Sequence, residues 1–188
     1  MRDVYECCPS FEGKRFMLRL VVQDDCAALL KVYSDELAVP LFNSDNCHGD
    51  DFHYTTMERM HSAIDFWLFS YEKRYFVRWT IADKAKGEAI GTIELFNRQA
   101  DDWFTDCGIL RLDLRSDYER ADEIREILDL IMPQAYELFD CAMIATKVVP
   151  SAKERIRALL QLGFAARKEK LIGHDGTQYG DYFARMKA

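Results

Sequence analysis

Asp106 and Cys107 stand side by side in Thr105-Asp106-Cys107-Gly108, and Glu94 lies in an apolar run twelve residues before Asp106. A carboxylate can accept a proton in the course of a reaction, and a thiolate can attack a carbonyl. Neither residue is specific alone. Asp106 also fits an ordinary strand-end aspartate, and Glu94 fits a solvent-facing position on a hairpin. No histidine lies at a spacing that would activate Cys107, so a buried structural thiol is expected there. The densest polar cluster is Asp45-Asn46-Cys47-His48-Gly49-Asp50-Asp51-Phe52-His53. Cys47, His48 and His53 carry metal-ligating atoms, but their spacing matches no standard zinc pattern, and no metal is expected. A solvated loop accounts for the segment. Glu119, Asp122, Glu123 and Glu126 gather near the start of an apolar-periodic stretch. Complementing a helix macrodipole, worth about 0.3–1 kcal/mol per charge, explains them without a ligand.

These residues need elements to hold them. Arg15 to Val22 reads as a first strand after Gly13. Gln23-Asp24-Asp25 opens a helix continued by Ala27, Leu29, Leu30 and Tyr33. Thr55 or Thr56 can cap a second helix, with Met57, Met60, Ile64, Trp67, Leu68 and Tyr71 on one stripe. Phe76–Ala82 and Ala89–Phe96 form a hairpin around Asp83–Gly87. Trp103 to Leu114 is a third strand in that block. A long helix runs from about Asp117 to Asp140 with Pro133 inside it, a position that kinks a helix or removes one hydrogen bond. Ala142 to Val149 is a short buried strand, and Ser151 to Leu162 is a helix stopped by Gly163. Phe164–Ile172 and Tyr179–Met186 close the chain around His174-Asp175-Gly176. The unit from Leu110 to Val149 places a helix between two strands, which requires that they pair in parallel.

With 188 residues, the chain suits one domain, with residues 1–14 as an N-terminal extension. Hydrophobic residues make up 49% and 24 are aromatic, enough for a packed core. Net charge is -7 and no basic stretch is free of acids, so nucleic-acid binding is not expected. No apolar run is long enough for a membrane span. Met1 is followed by polar residues without an apolar core, so no secretory signal is read and a cytoplasmic location is expected. The six cysteines then read as free thiols.

The element order resembles the GNAT superfamily of acyl-CoA N-acyltransferases. Leu160-Gln161-Leu162-Gly163-Phe164 is similar to that family's helix-to-strand junction. Asp175-Gly176-Thr177 with Asp181-Tyr182-Phe183, and Leu18-Arg19-Leu20 before Asp24-Asp25, resemble the branch that acetylates ribosomal-protein N-termini. The resemblance covers residues 15 to 187. It implies an α/β (α+β) fold: a mixed, mostly antiparallel sheet with helices on both faces and a central β-α-β unit. It also implies an N-acetyltransferase that moves an acetyl group from acetyl-CoA, its co-substrate, to a primary amine on a small molecule or peptide. A GNAT-fold binding or regulatory module that has lost catalysis is the first alternative, and a structural partner that forms a homodimer through the aromatic surface of residues 66 to 79 is a second. Asp106 sits where that branch often places a glutamate, as base or amine anchor. Asp45, Asp50 and Asp51 would border the acceptor.

The family's pyrophosphate loop uses backbone N–H groups and glycines at a helix N-terminus. Leu112, Asp113 and Leu114 resemble the strand leading into it and would line the pantetheine slot. The loop positions are held here by Glu119, Arg120, Ala121, Asp122, Glu123 and Ile124, with Asp122 and Ile124 where glycine or alanine is usual. Ala152 takes the position of a frequent asparagine, and Leu159 that of a tyrosine acid. Two expectations follow. The strands ending near Leu114 and starting near Ala142 should be parallel neighbours that part at their C-terminal ends. Glu119, Asp122 and Glu123 should each weaken CoA binding by around tenfold if they face the pyrophosphate.

Overall fold

A computed structural model of the chain describes residues 3–187. Among these, the strands are β1 (Phe11–Glu12), β2 (Phe16–Leu20), β3 (Val77–Asp83), β4 (Glu88–Arg98), β5 (Cys107–Leu114), β6 (Met143–Lys147), β7 (Ala165–Ala166), β8 (Leu171–Ile172), β9 (Gln178–Tyr179) and β10 (Tyr182–Met186). The α-helices are α1 (Cys26–Tyr33), α2 (Met57–Glu72), α3 (Ala121–Leu138) and α4 (Lys153–Gln161). The main sheet runs β1-β2-β3-β4-β5-β6-β10-β7, and β8 and β9 form a separate ribbon. Both edges of the main sheet are strands of two residues. No helix among the described residues is long and apolar enough to cross a membrane.

Local chemistry explains the helices. The Thr56 side chain accepts from the Arg59 N–H at 3.2 Å and so caps α2. α2 then buries Met60, Ala63, Ile64 and Trp67, the stripe that helical spacing requires. α3 buries Ile124, Ile127, Leu128, Ile131 and Ala135, and Pro133 lies within it. Gly163 follows α4 with φ +82°, a left-handed conformation that favours glycine and ends the helix. α3 and α4 cover one face of the sheet, where Leu110, Leu112, Leu114, Ile124, Leu128 and Leu159 share a core. The cluster on the other face joins α1 and α2 through Leu29, Tyr33, Ile64 and Trp67. Fully burying one such side chain contributes roughly 1.5–3 kcal/mol.

All main-sheet pairings are antiparallel except β5 with β6. That parallel register holds for Cys107↔Met143, Gly108↔Ile144 and Ile109↔Ala145, then stops. Leu110 to Leu114 continue β5 with no partner on β6. The two strands are therefore parallel neighbours that part toward their C-terminal ends, as expected.

Three regions differ from the sequence reading. Trp103 to Asp106 do not extend β5: Asp106 has φ +49°, which no regular strand allows. Asp102 fixes this turn by accepting from Arg98 Nη1 at 2.6 Å, Arg98 Nη2 at 2.7 Å, the Phe104 N–H at 2.9 Å and the Ile172 N–H at 2.8 Å. The two long closing strands each break in two. Asp181, with φ +63°, separates β9 from β10, so β8 and β9 pair apart from the main sheet. Residues 3–14 also pack on the fold. Val4 and Phe11 are buried, the Trp79 indole donates to the Pro9 carbonyl at 2.9 Å, and the Tyr71 hydroxyl donates to the Val4 carbonyl at 3.0 Å.

Candidate functional site

Three adjacent strands place opposite charges in register across the middle of the sheet: Arg78 on β3, Glu94 on β4 and Arg111 on β5. Opposite charges directly across a pair of strands attract. The next row on the same face is Thr80, Thr92 and Asp113. The Arg78 guanidinium, 2% exposed, donates to Glu94, to Asp113 at 2.8 Å, to the Thr92 hydroxyl at 3.0 Å and to the Tyr33 hydroxyl at 2.9 Å. Tyr33 donates in turn to Asp113 at 2.7 Å. Arg111 donates to Glu94 at 2.5 Å and to the Asp45 carbonyl at 2.9 Å. Trp67 covers Arg78, its ring centroid 4.3 Å from the guanidinium carbon.

This row floors a cavity of about 510 Å³ walled by Phe52, Tyr54, Phe66, Trp67, Tyr75 and Phe76. Asp50 stands at the wall, accepting from Arg59 at 2.5 Å and from the Tyr54 hydroxyl at 3.0 Å. Burial alone would push the Glu94 pKa up, but the charges of Arg78 and Arg111 more than offset it and hold the group below its ordinary 4.5. A depressed carboxylate contributes stability that is complete above its unfolded value and is lost as pH falls through the folded one. The wild type is therefore expected to lose stability more steeply below pH 4.5 than Glu94→Gln does, in unfolding midpoints measured across an acid series.

On the opposite face, the gap between β5 and β6 is an apolar slot lined by Leu110, Leu112, Ile124, Leu128, Val148 and Leu159. One cation enters it. Arg155, on the first turn of α4 and 4% exposed, donates from Nη1 to the Leu112 carbonyl at 2.8 Å and to the Leu41 carbonyl at 2.9 Å. Its Nε donates to both Glu119 carboxylate oxygens at 3.1 and 3.0 Å, and Nη2 donates to the same carboxylate. The space left is about 10 Å³, room for one water molecule. At the N-terminus of α3 the Ala121 N–H donates to Glu154 at 2.9 Å. A second internal carboxylate thus stands where a helix dipole favours an anion.

Sequence reasoning placed Leu112, Asp113, Leu114, Glu119 and Arg120–Ile124 around this slot, and the structure sorts them. Leu112 and Ile124 line it and Glu119 meets Arg155 within it. Asp113 turns its side chain to the other face, toward Arg78 and Tyr33. Asp122 points to solvent with its side chain 78% exposed, and Glu123 pairs with Arg15 at 2.8 Å. The expectation that three acids crowd one anion site is corrected to one, because α3 turns Asp122 to solvent and Glu123 toward Arg15, away from the slot. Asp106 lies before β5, at the end where β5 and β6 are still paired, and not at the cavity. Its carboxylate meets only the Gln99 amide, at 3.5 Å, among the described hydrogen bonds.

Asp45 is buried, accepting from Lys147 at 2.6 Å and from the Tyr182 hydroxyl at 3.2 Å. Burial pushes the Cys107 thiol well above its ordinary range, so it stays protonated. Cys47 lies at the rim, and among the described residues no group of three His, Cys, Asp or Glu is placed to hold a metal ion. Glu94 was read only as a lone carboxylate, and Arg78 and Arg111 went unread, although each interrupts an apolar strand run, a signal available in the sequence. Arg155 gave no such signal, because Lys153, Glu154 and Arg157 beside it make the start of α4 read as an exposed face.

A family model described as an acetyltransferase (GNAT) domain matches residues 15–165. Among curated proteins, none matches the chain's sequence significantly. Solved structures do match. The ribosomal-protein-S5-alanine acetyltransferase from Vibrio fischeri superposes with a TM-score of 0.70 at 18% identity, covering 95% of this chain and 96% of that one. RimJ of Mycobacterium smegmatis, in complex with CoA-disulfide, gives 0.70 at 14% identity over 94% and 85%. RimL, a ribosomal L7/L12 alpha-N-protein acetyltransferase in complex with coenzyme A, gives 0.69 at 12% over 95% and 98%.

Proposed function

Because the chain belongs to the GNAT acetyltransferase family, we propose that it moves an acetyl group from acetyl-CoA to the primary amine of a peptide or small molecule. The observation that carries this reading is the parting of β5 and β6 after three registered pairs. The gap has the chemistry a pantetheine arm needs: apolar walls and a Leu112 carbonyl without a strand partner. The guanidinium within it suits a pyrophosphate, so the residues present fit acetyl-CoA once Arg155 moves. When bound, acetyl-CoA supplies the thioester carbon that an amine attacks.

The chain's own residues do the rest from the other face of the sheet. The aromatic walls of the large cavity attract a cationic amine. Glu94, ionised on its floor, is the amine anchor in this reading. The solved neighbours named for acting on ribosomal proteins favour a protein N-terminal amine as acceptor. The six cysteines are free, which suits a reducing, cytoplasmic setting.

The test is incubation with acetyl-CoA and a panel of peptides bearing free N-termini, read by mass spectrometry. A product heavier by one acetyl group is expected. No product from any peptide, with no binding of acetyl-CoA, would overturn the reading. A second reading, a binding module without transfer, is favoured by the small space Arg155 leaves in the slot. It requires that amine ligands raise the unfolding midpoint while acetyl-CoA does not.

A further inference from the structure

We propose that Arg155 is this chain's replacement for a glycine-rich phosphate loop: it binds the pyrophosphate of acetyl-CoA, and Glu119 stands in for that anion in the free protein. The proposal rests on the transferase reading above.

Packing does not explain Arg155. The slot around it is lined by leucine, isoleucine and valine with Thr146 as the one polar neighbour, and a guanidinium there costs desolvation that an apolar side chain would avoid. What holds it is a set of acceptors: two backbone carbonyls and a carboxylate met by Nε and Nη2. A planar guanidinium offers that same edge to a phosphate. Glu119 supplies the carboxylate from the turn just before α3, and Glu154 supplies another to the Ala121 N–H. Both sit at the N-terminus of an 18-residue helix, where negative charge is favoured.

The glycine positions of the resembled loop are lost here, with Ile124 buried in the core and Asp122 turned outward. Among the described residues, close backbone approach by that loop is replaced by one buried cation that already holds an anion. Binding then requires exchange. Arg155 releases Glu119 and the Leu112 carbonyl, and the displaced Glu119 is left near an incoming group of its own sign. Wild-type affinity is low for that reason, and Glu119 sets it.

The experiment is calorimetric titration of acetyl-CoA, and of S-acetylpantetheine, which lacks the pyrophosphate. The proteins are wild type, Glu119→Gln and Arg155→Gln, each first checked for a cooperative melt. Glu119→Gln is expected to tighten acetyl-CoA by about tenfold and S-acetylpantetheine by clearly less, since only acetyl-CoA also escapes the repulsion between Glu119 and the pyrophosphate. Arg155→Gln is expected to weaken acetyl-CoA by a similar factor and not to weaken S-acetylpantetheine. If Glu119→Gln does not fold, Glu119→Asp, which keeps the charge but shortens its reach, is expected to shift affinity in the same direction.

Tighter acetyl-CoA binding by Arg155→Gln would overturn the proposal, since Arg155 would then be only a plug. Equal acetyl-CoA affinity in all variants would overturn it while leaving the transferase reading intact. No binding of acetyl-CoA by any of them would overturn both.

Discussion

Arg78→Leu is expected to cost about 3–5 kcal/mol, the usual loss when one partner of a buried ion pair is removed. The reason is what stays behind. Glu94 and Asp113 are 2% and 0% exposed, and both pair with Arg78. Arg111 still reaches Glu94, but Asp113 keeps only the Tyr33 hydroxyl among these partners. The side chain also fills the space under Trp67, so the substitution loses packing as well as charge. For a chain of this length the expected drop in unfolding midpoint is roughly 10 °C, read by calorimetry. A drop near that of an ordinary surface substitution, about 0.5 kcal/mol, would mean that water screens the row and that burial does not govern it.

Gly91→Ala is expected to follow closely. A Cβ at Gly91 would lie 2.3 Å from the Asp113 carbonyl oxygen and 3.1 Å from the Leu114 Cα, both of them backbone. No side-chain rotation relieves such a clash, so β4 and β5 must separate. Overpacking typically costs about 1–3 kcal/mol, and this position belongs at the upper end. Gly108→Ala is the informative contrast. Its Cβ would come within 2.4 Å of the Ile144 Cδ1, the end of a side chain that can turn away. It should lose less than half as much in denaturant unfolding. The reverse order would mean that the β4–β5 contact is looser than its register implies.

Much of the fold was legible because local signals agreed with one another. Thr56 ahead of an apolar stripe marked α2, Gly163 marked the end of α4, and the helix between Leu110 and Val149 required parallel strands. The failures share a cause. Trp103 to Asp106 is apolar and aromatic enough to read as strand, but Asp102 uses its carboxylate to hold a turn made with residues 98 and 172. The contact with residue 172 lies outside any local window. The site was legible in part. The backbone of the slot followed from the resemblance, and Leu112, Glu119 and Ile124 are there. Asp122 and Glu123 were misplaced because helical rotation, not sequence order, decides which acids share a face. Arg155 could not be read at all, since its burial depends on two strands that lie apart in the chain.

The two-residue strands at the ends of the main sheet bear on how this protein behaves in a crowded solution. A long exposed edge offers unpaired N–H and C=O groups on which a second chain can add as a further strand, the first step toward aggregates. Here β1 and β7 end the sheet with so little extended backbone that an incoming segment finds almost no template. The long strands, β3 to β5, all lie inside the sheet, and the stretch of β5 from Leu110 to Leu114 that has no partner on β6 faces the slot between β5 and β6. Self-association by strand addition is thus disfavoured at both ends. Lengthening either edge, for instance by substitutions that continue β7 beyond Ala166, would be expected to raise light scattering on storage before it changed the fold.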